Sequence, residues 1–276
     1  MAAIDLFLNP NNSSWSEAFD HAIEVLQNSW SYQWLGLPQV LEASVDFLNI
    51  QNGELTFETR QLLFASHDIA CKLEDLCHNT SSYVEPLYHN RLHTAHVLVS
   101  MTLMIAIESE RQNVRSPKWW AAALLTALAH DFAHPGRVNS KPSELEQQAV
   151  MDVLPILRKH EVKSEWVSCI QHAILRSDFA MVNENHDRIK GQSFEWNRDW
   201  LAVFLNEADI LGSSVSLYGE SLGLALSDEW RLIDYSPYST VATPAGRQQF
   251  LKNLKFSTNA SRILGVQERI SKQLSD

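Results

Sequence analysis

Apolar residues recur along this chain at three- and four-residue intervals, with polar residues between them. Trp15, Phe19, Ala22 and Leu26 form one such stripe, preceded by Ser14 and Glu17 at the spacing of a capping box. Pro38 suits the first turn of a second helix, with Val40, Leu41, Val45 and Leu48 on its inner face. Leu62, Leu63, Ile69, Leu73 and Leu76 predict a third helix over 56–78, and the run Val97–Ile107 lies inside a fourth over about 87–109. Residues 117–131, PKWWAAALLTALAHD, are apolar on every side and predict an interior helix, which Pro135 ends near Asp131. Ser143 and Glu146 have the spacing of a second capping box, opening a helix to about 159. Helices are also predicted over 163–177, 197–217 and 244–270, with 179–196 and 231–243 the least regular segments. Strand-like alternation is absent, so the chain reads as all-α.

Composition supports that reading. Glycine and proline together make up 18 of 276 residues (nine of each), about half the usual share of roughly 12%. Sheet architectures use both at every reversal. No linker or repeat divides the chain, which reads as one domain: residues 1–80 as covering helices, 81–276 as the core. The net charge of −11 argues against a nucleic-acid partner, which selects for basic patches. An acidic chain that binds an anion needs a local cation, and a metal ion is the commonest source. Cys71, Cys77 and Cys169 contain no CxxC pair and read as reduced core thiols. The N-terminus lacks a signal-peptide pattern and the longest apolar run is too short to span a bilayer. A cytoplasmic location with no membrane partner is the expectation.

Chemistry-bearing residues gather at three places. His89, His93 and His96 share one helix face. His130 and Asp131 close the most apolar helix, with His134 just beyond. Asp209 stands in the apolar stretch LAVFLNEADILG, where a carboxylate is costly unless paired or bound to a metal. Imidazoles and carboxylates on packed helices make an inward-facing site suited to Zn, Fe, Mn or Mg.

These segments resemble motifs of the class I cyclic-nucleotide phosphodiesterases, within the wider HD metal-dependent phosphohydrolase superfamily. Residues 88–93, YHNRLH, resemble YHNxxH; residues 130–139, HDFAHPGRVN, resemble HDxxHPGxxN; Glu207-Ala208-Asp209-Ile210 resembles the later ADL segment. The resemblance spans roughly residues 80–255. It implies a compact multi-helix bundle with a central two-metal site. His93, His130, Asp131 and Asp209 would hold the tighter metal, zinc or else iron or manganese, and Asp131 would bridge to a second, magnesium or manganese. By the same resemblance His89 is the general acid, His134 and Glu146 stand behind the metal waters, and Ser177 takes the place of a threonine. Tyr88, Arg247 and Phe250 fall where the family contacts substrate. The implied reaction is hydrolysis of a 3′,5′-cyclic nucleotide to the 5′-monophosphate by metal-bound hydroxide, and the implied partner is a small anionic phosphoester.

The departures lie in base recognition. Arg247 stands where the family reads purine with glutamine, and an arginine only donates. Gly212 replaces an occasional base-contacting asparagine. A second phosphoester, such as a nucleoside monophosphate gripped by Arg247, is therefore an alternative substrate. An HD-fold di-iron oxygenase is a further alternative, for which His172 is the one available extra ligand. A catalytically inactive interaction module is the third. Glu146 has a competing role as the capping-box residue of Ser143, and His96 reads either as a residue behind the metal ligands or as a surface histidine.

Overall fold

The computed structural model describes residues 5–9, 12–52, 55–79 and 83–275. Among these residues there are helices and no strands, in the order α1 (Trp15–Tyr32), α2 (Leu37–Phe47), α3 (Phe57–Asn79), α4 (Arg91–Gln112), α5 (Pro117–Ala129), α6 (Glu144–Lys159), α7 (Ser164–Leu175), α8 (Val182–Ile189), α9 (Arg198–Val215), α10 (Gly219–Leu232), α11 (Tyr238–Val241), α12 (Pro244–Asn253), α13 (Asn259–Ile263) and α14 (Val266–Ser275).

Two helices form the centre. α5 is buried without interruption from Trp120 to Ala129, as its uniformly apolar sequence requires. α4 is buried along most of its length. It is long and apolar enough by composition to cross a membrane, but 89% of its most apolar window lies inside the molecule. Asn113, in the left-handed conformation, ends α4, and three residues later Ser116 precedes α5. So short a connection returns the chain antiparallel, which sets the start of α4 beside the end of α5. α9 packs along α4, α1 and α2 cover α4, and α3 lies on α5. One apolar cluster runs from Leu6 through these helices to Ile270.

The capping box before α1 forms: the Glu17 amide donates to Ser14 Oγ at 3.2 Å and the Ser14 amide to Glu17 Oε2 at 2.7 Å. The one predicted at Ser143 does not. Ser143 is left-handed (φ 54°) and its hydroxyl donates to the Leu175 carbonyl at 3.0 Å, so Glu146 is released for another role. α4 begins at Arg91 rather than near 87, because Asn90 caps it by accepting from the His93 amide at 3.0 Å.

The predicted helix over 244–270 is three helices. Glu207, fully buried on α9, accepts from the amides of Ser257 (2.5 Å) and Thr258 (3.0 Å), from the Thr258 hydroxyl (2.5 Å) and from the Ser261 hydroxyl. Satisfying that carboxylate takes two backbone N–H groups out of a helical ladder and folds 254–258 into a loop. α8 and α10 were not anticipated. α8 is short and mostly polar, and the stripe Leu222, Leu226, Trp230 of α10 was passed over.

Candidate metal and acid–base site

The first turn of α4, the chain just beyond α5 and the middle of α9 meet at one end of the bundle. His93 Nε2 lies 3.0 Å from Asp209 Oδ1 and 3.5 Å from Asp131 Oδ2. His130 Nε2 lies 3.2 Å from Asp131 Oδ2 and 3.8 Å from Asp209 Oδ1. Both imidazoles are buried and both carboxylates are partly exposed. The His130 orientation is fixed from behind, where Nδ1 donates to the Ala127 carbonyl at 2.9 Å and leaves Nε2 facing the carboxylates.

The donor set passes a test for a metal. The Nε2 atoms of His93 and His130 are buried, yet neither has a partner aligned for a hydrogen bond. Buried polar atoms without partners are rare, and a cation between two imidazoles and two carboxylates satisfies all four. His93, His130 and Asp209 bring their ligand atoms within 4.8 Å of one another, close enough to share one ion. The electrostatics agree that this place draws positive charge. Burial disfavours the protonated form of His93, but the Asp131 and Asp209 carboxylates outweigh it and push it up to about 10. Burial likewise opposes charge on Asp131, while His130 and His93 hold its carboxyl well below the usual range.

His89 stands beside this group, on the bend that precedes α4. Its Nδ1 lies 2.5 Å from Glu229 Oε1, which comes from α10. The same carboxylate accepts from the amides of Tyr88 (2.7 Å) and His89 (3.1 Å). Burial raises Glu229, but these bonds, led by His89, hold it below its ordinary value. Glu229 was not anticipated; it falls on the helix whose pattern was not recognised, and nothing in its local sequence marks it. His89, His134 and Glu229 also form a cluster of metal-ligating type. Here three N–H groups already satisfy the carboxylate, so His89 and Glu229 pair with each other beside a second imidazole as neighbour.

That neighbour is His134, its ring 4.0 Å from the His89 ring. Burial, followed by the His89 charge, pushes His134 down to about 3, so it is a neutral imidazole. Its Nδ1 accepts from the Gly136 amide at 3.1 Å, which leaves the proton on Nε2. Ala133, left-handed at φ 54°, reverses the chain between Asp131 and His134. That conformation costs a non-glycine residue about 1 kcal/mol, a strain characteristic of functional turns.

Glu146 accepts from Asn139 Nδ2 at 3.0 Å, and burial raises its carboxyl. Asp178, a further residue passed over, accepts from the Ser143 amide at 2.6 Å and from Asn139 at 3.4 Å, tying the 139–143 loop to the end of α7. Ser177 donates to the Ile174 carbonyl and lines a cleft with Asp209. The Tyr88 hydroxyl pairs with Ser213 at 2.7 Å while its ring leans on His93 and His89, so it shapes the site from behind.

Two expectations are corrected. The Arg247 guanidinium donates to the carbonyls of Ser213 and Ser214 near the end of α9, and to Gln273 at 2.7 Å. It also lies 5.7 Å over the Phe250 ring. It holds α12 to α9 and α14 and has no fork left for a substrate. His172 does not join the cluster. It pairs with Asp199 at 3.2 Å, ten residues and so about 15 Å along α9 from Asp209.

His96 is fully interior, against Gly212, so it is no surface residue: Nδ1 lies 3.3 Å from where a side chain at 212 would begin. Burial pushes His96 down to about 3 and, with the Lys255 charge second, His186 down to about 4, both from an ordinary 6.5. These two rings therefore bind fewer protons in the folded chain than in the unfolded chain across this window. Their contribution to stability is full above pH 6.5 and is lost as pH falls toward 4. Urea midpoints are expected to drop steeply over that range; a flat midpoint contradicts neutral burial of these rings.

Residues 88–151 match the family model of 3′5′-cyclic nucleotide phosphodiesterases. Among solved structures, the phosphodiesterase domain of the RhoPDE fusion protein from the choanoflagellate Salpingoeca rosetta aligns over 100% of this chain and 88% of its own, at 16% identity and TM-score 0.57. LmjPDEB1 in complex with IBMX aligns over 97% of this chain and 93% of its own, at 10% identity and TM-score 0.63. A search of the curated proteins finds no match. The fold is that of the two aligned phosphodiesterase structures. The segment 88–151, which carries the YHNRLH and HDFAHPGRVN motifs, is thus similar to the 3′5′-cyclic nucleotide phosphodiesterases.

Proposed function

We propose that this protein hydrolyses a 3′,5′-cyclic nucleotide to the 5′-monophosphate, with two divalent metals held at the α4–α5–α9 junction. His93, His130, Asp131 and Asp209 hold the tighter ion, zinc or else iron or manganese. Asp131, which like Asp209 faces both imidazoles, would be shared with a magnesium or manganese ion. Bound there, the metals supply Lewis acidity at phosphorus and lower the pKa of water. The observation that carries this reading is the juxtaposition of two partnerless buried imidazole nitrogens, two carboxylates and the carboxylate-backed His89 at one end of the bundle.

The geometry supports the following roles for the chain's own residues. Glu229 accepts from His89 Nδ1 and so turns His89 Nε2 outward. The attacking water forms one new P–O bond and gives its proton to solvent, and the P–O3′ bond breaks. The departing O3′ alkoxide takes its proton from His89 Nε2, and Glu229 stabilises the imidazolium before that transfer. His134, held neutral, donates from Nε2 without competing for the proton. Glu146 and Asp178, joined through Asn139, fix the 139–143 loop beside the site and leave acceptor capacity for ordered water.

The substrate is less narrowly defined than the chemistry. Gly212 and the engaged Arg247 leave the usual purine contacts unmade, which keeps another small phosphoester as the second reading. The test is turnover by purified protein with Mn or Mg on cAMP, cGMP and a panel of phosphomonoesters. Formation of 5′-monophosphate from a cyclic nucleotide supports the first reading. Activity confined to the phosphomonoesters replaces the substrate and keeps the site.

A further inference from the structure

The anionic substrate still lacks a protein cation, since Arg247 is engaged elsewhere. A cleft opens beside the metal-type cluster, walled by Phe179 and Ile210 and edged by Ser177, Asp209, Asn253 and Lys255. Its cavity volume of about 60 Å³ is far below the roughly 300–1,000 Å³ of pockets that enclose a whole small molecule. It has room for a phosphoryl-sized group, not for a nucleoside.

Lys255 is the cation among the described residues of this lining. It is half-buried. Its loop is rigidly seated. Two residues on, the Ser257 amide donates to the buried Glu207 at 2.5 Å and the Ser257 hydroxyl meets His186 Nδ1 at 2.6 Å. Thr258 adds two more bonds to Glu207. Glu207 and Asp209 are two residues apart on α9, so one helix both offers a metal-type carboxylate and anchors the loop that brings the lysine to it. A binding group held by a buried support is pre-organised, which lowers the ordering cost of gripping a ligand.

We propose that Lys255 is the anion-binding residue of the substrate cleft, gripping the phosphoryl group next to Asp209 and so doing the work expected of Arg247. This rests on the proposed hydrolase reading for its substrate but not for its binding test. The experiment is calorimetry of metal-loaded wild type, Lys255→Ala and Lys255→Arg with 5′-AMP, inorganic phosphate and adenosine, beside turnover of a cyclic nucleotide. Lys255→Ala is expected to weaken 5′-AMP and phosphate about tenfold or more, the scale of a charge-assisted hydrogen bond. Adenosine binding, metal content and Tm stay unchanged, Lys255→Arg recovers most of the anion affinity, and the turnover loss falls on KM.

Equal anion affinity in wild type and Lys255→Ala overturns the proposal, as does a wild type that binds neither anion or an equal loss for adenosine. Lys255-dependent anion binding in a protein that turns over no phosphoester leaves the cleft standing and removes the hydrolase reading. Turnover with an unaltered KM in Lys255→Ala does the reverse.

Discussion

Asp209→Asn is expected to release the tighter metal and to lower kcat/KM by at least about a thousandfold, about 4 kcal/mol of transition-state stabilisation. The reasoning is geometric. Asp209 Oδ1 is the carboxylate oxygen nearest His93 Nε2, at 3.0 Å, and faces His130 Nε2 at 3.8 Å. An asparagine keeps the shape and removes the charge, leaving two buried imidazoles with one carboxylate between them. Elemental analysis reads the metal directly. Retained metal with normal turnover removes Asp209 from the ligand set. Its α9 neighbour Glu207 is a built-in control. Glu207 accepts four hydrogen bonds from the 257–261 segment, so its loss acts through stability, read as a falling Tm.

His89→Ala is expected to keep the metal and lose about 10²–10⁴ in kcat, the usual contribution of a positioned acid. His89 stands four residues before His93, on the bend ahead of α4, and its Nδ1 is engaged by Glu229 rather than by the metal cluster. The loss is therefore expected to depend on the leaving group. It should be largest for a ribose alkoxide and small for a p-nitrophenyl phosphodiester, whose nitrophenolate departs without a proton. Glu229→Gln keeps a hydrogen bond to His89 but not the charge that stabilises its imidazolium, and an intermediate loss with the same leaving-group trend follows. Metal loss in His89→Ala, or an equal loss for both leaving groups, contradicts the assignment of His89 as the acid.

The helical core was legible because its determinants are local. The unbroken apolar run of α5, the stripe of α1 and the Ser14–Glu17 box each specify their element without help from distant residues. The four metal-type residues were legible because each is a polar group in an apolar context. What escaped depends on partners far away in the chain. Glu229 is an ordinary glutamate until α10 brings it to His89, 140 residues earlier. The break after α12 follows from Glu207, some fifty residues upstream. Ser143 and Glu146 have the spacing of a capping box, but Asp178 takes the Ser143 amide and Asn139 takes Glu146, so long-range bonds override the local motif. Arg247 could be placed on a helix but not aimed, since only the packing of α12 against α9 and α14 shows that its fork is occupied.

The measurement that bears most directly on the account is product analysis after incubating the metal-loaded protein with cAMP and cGMP. The account predicts metal-dependent release of the 5′-monophosphate, abolished by chelation and by Asp209→Asn. A fully metal-loaded, folded protein that leaves both cyclic nucleotides and every phosphomonoester intact would contradict it.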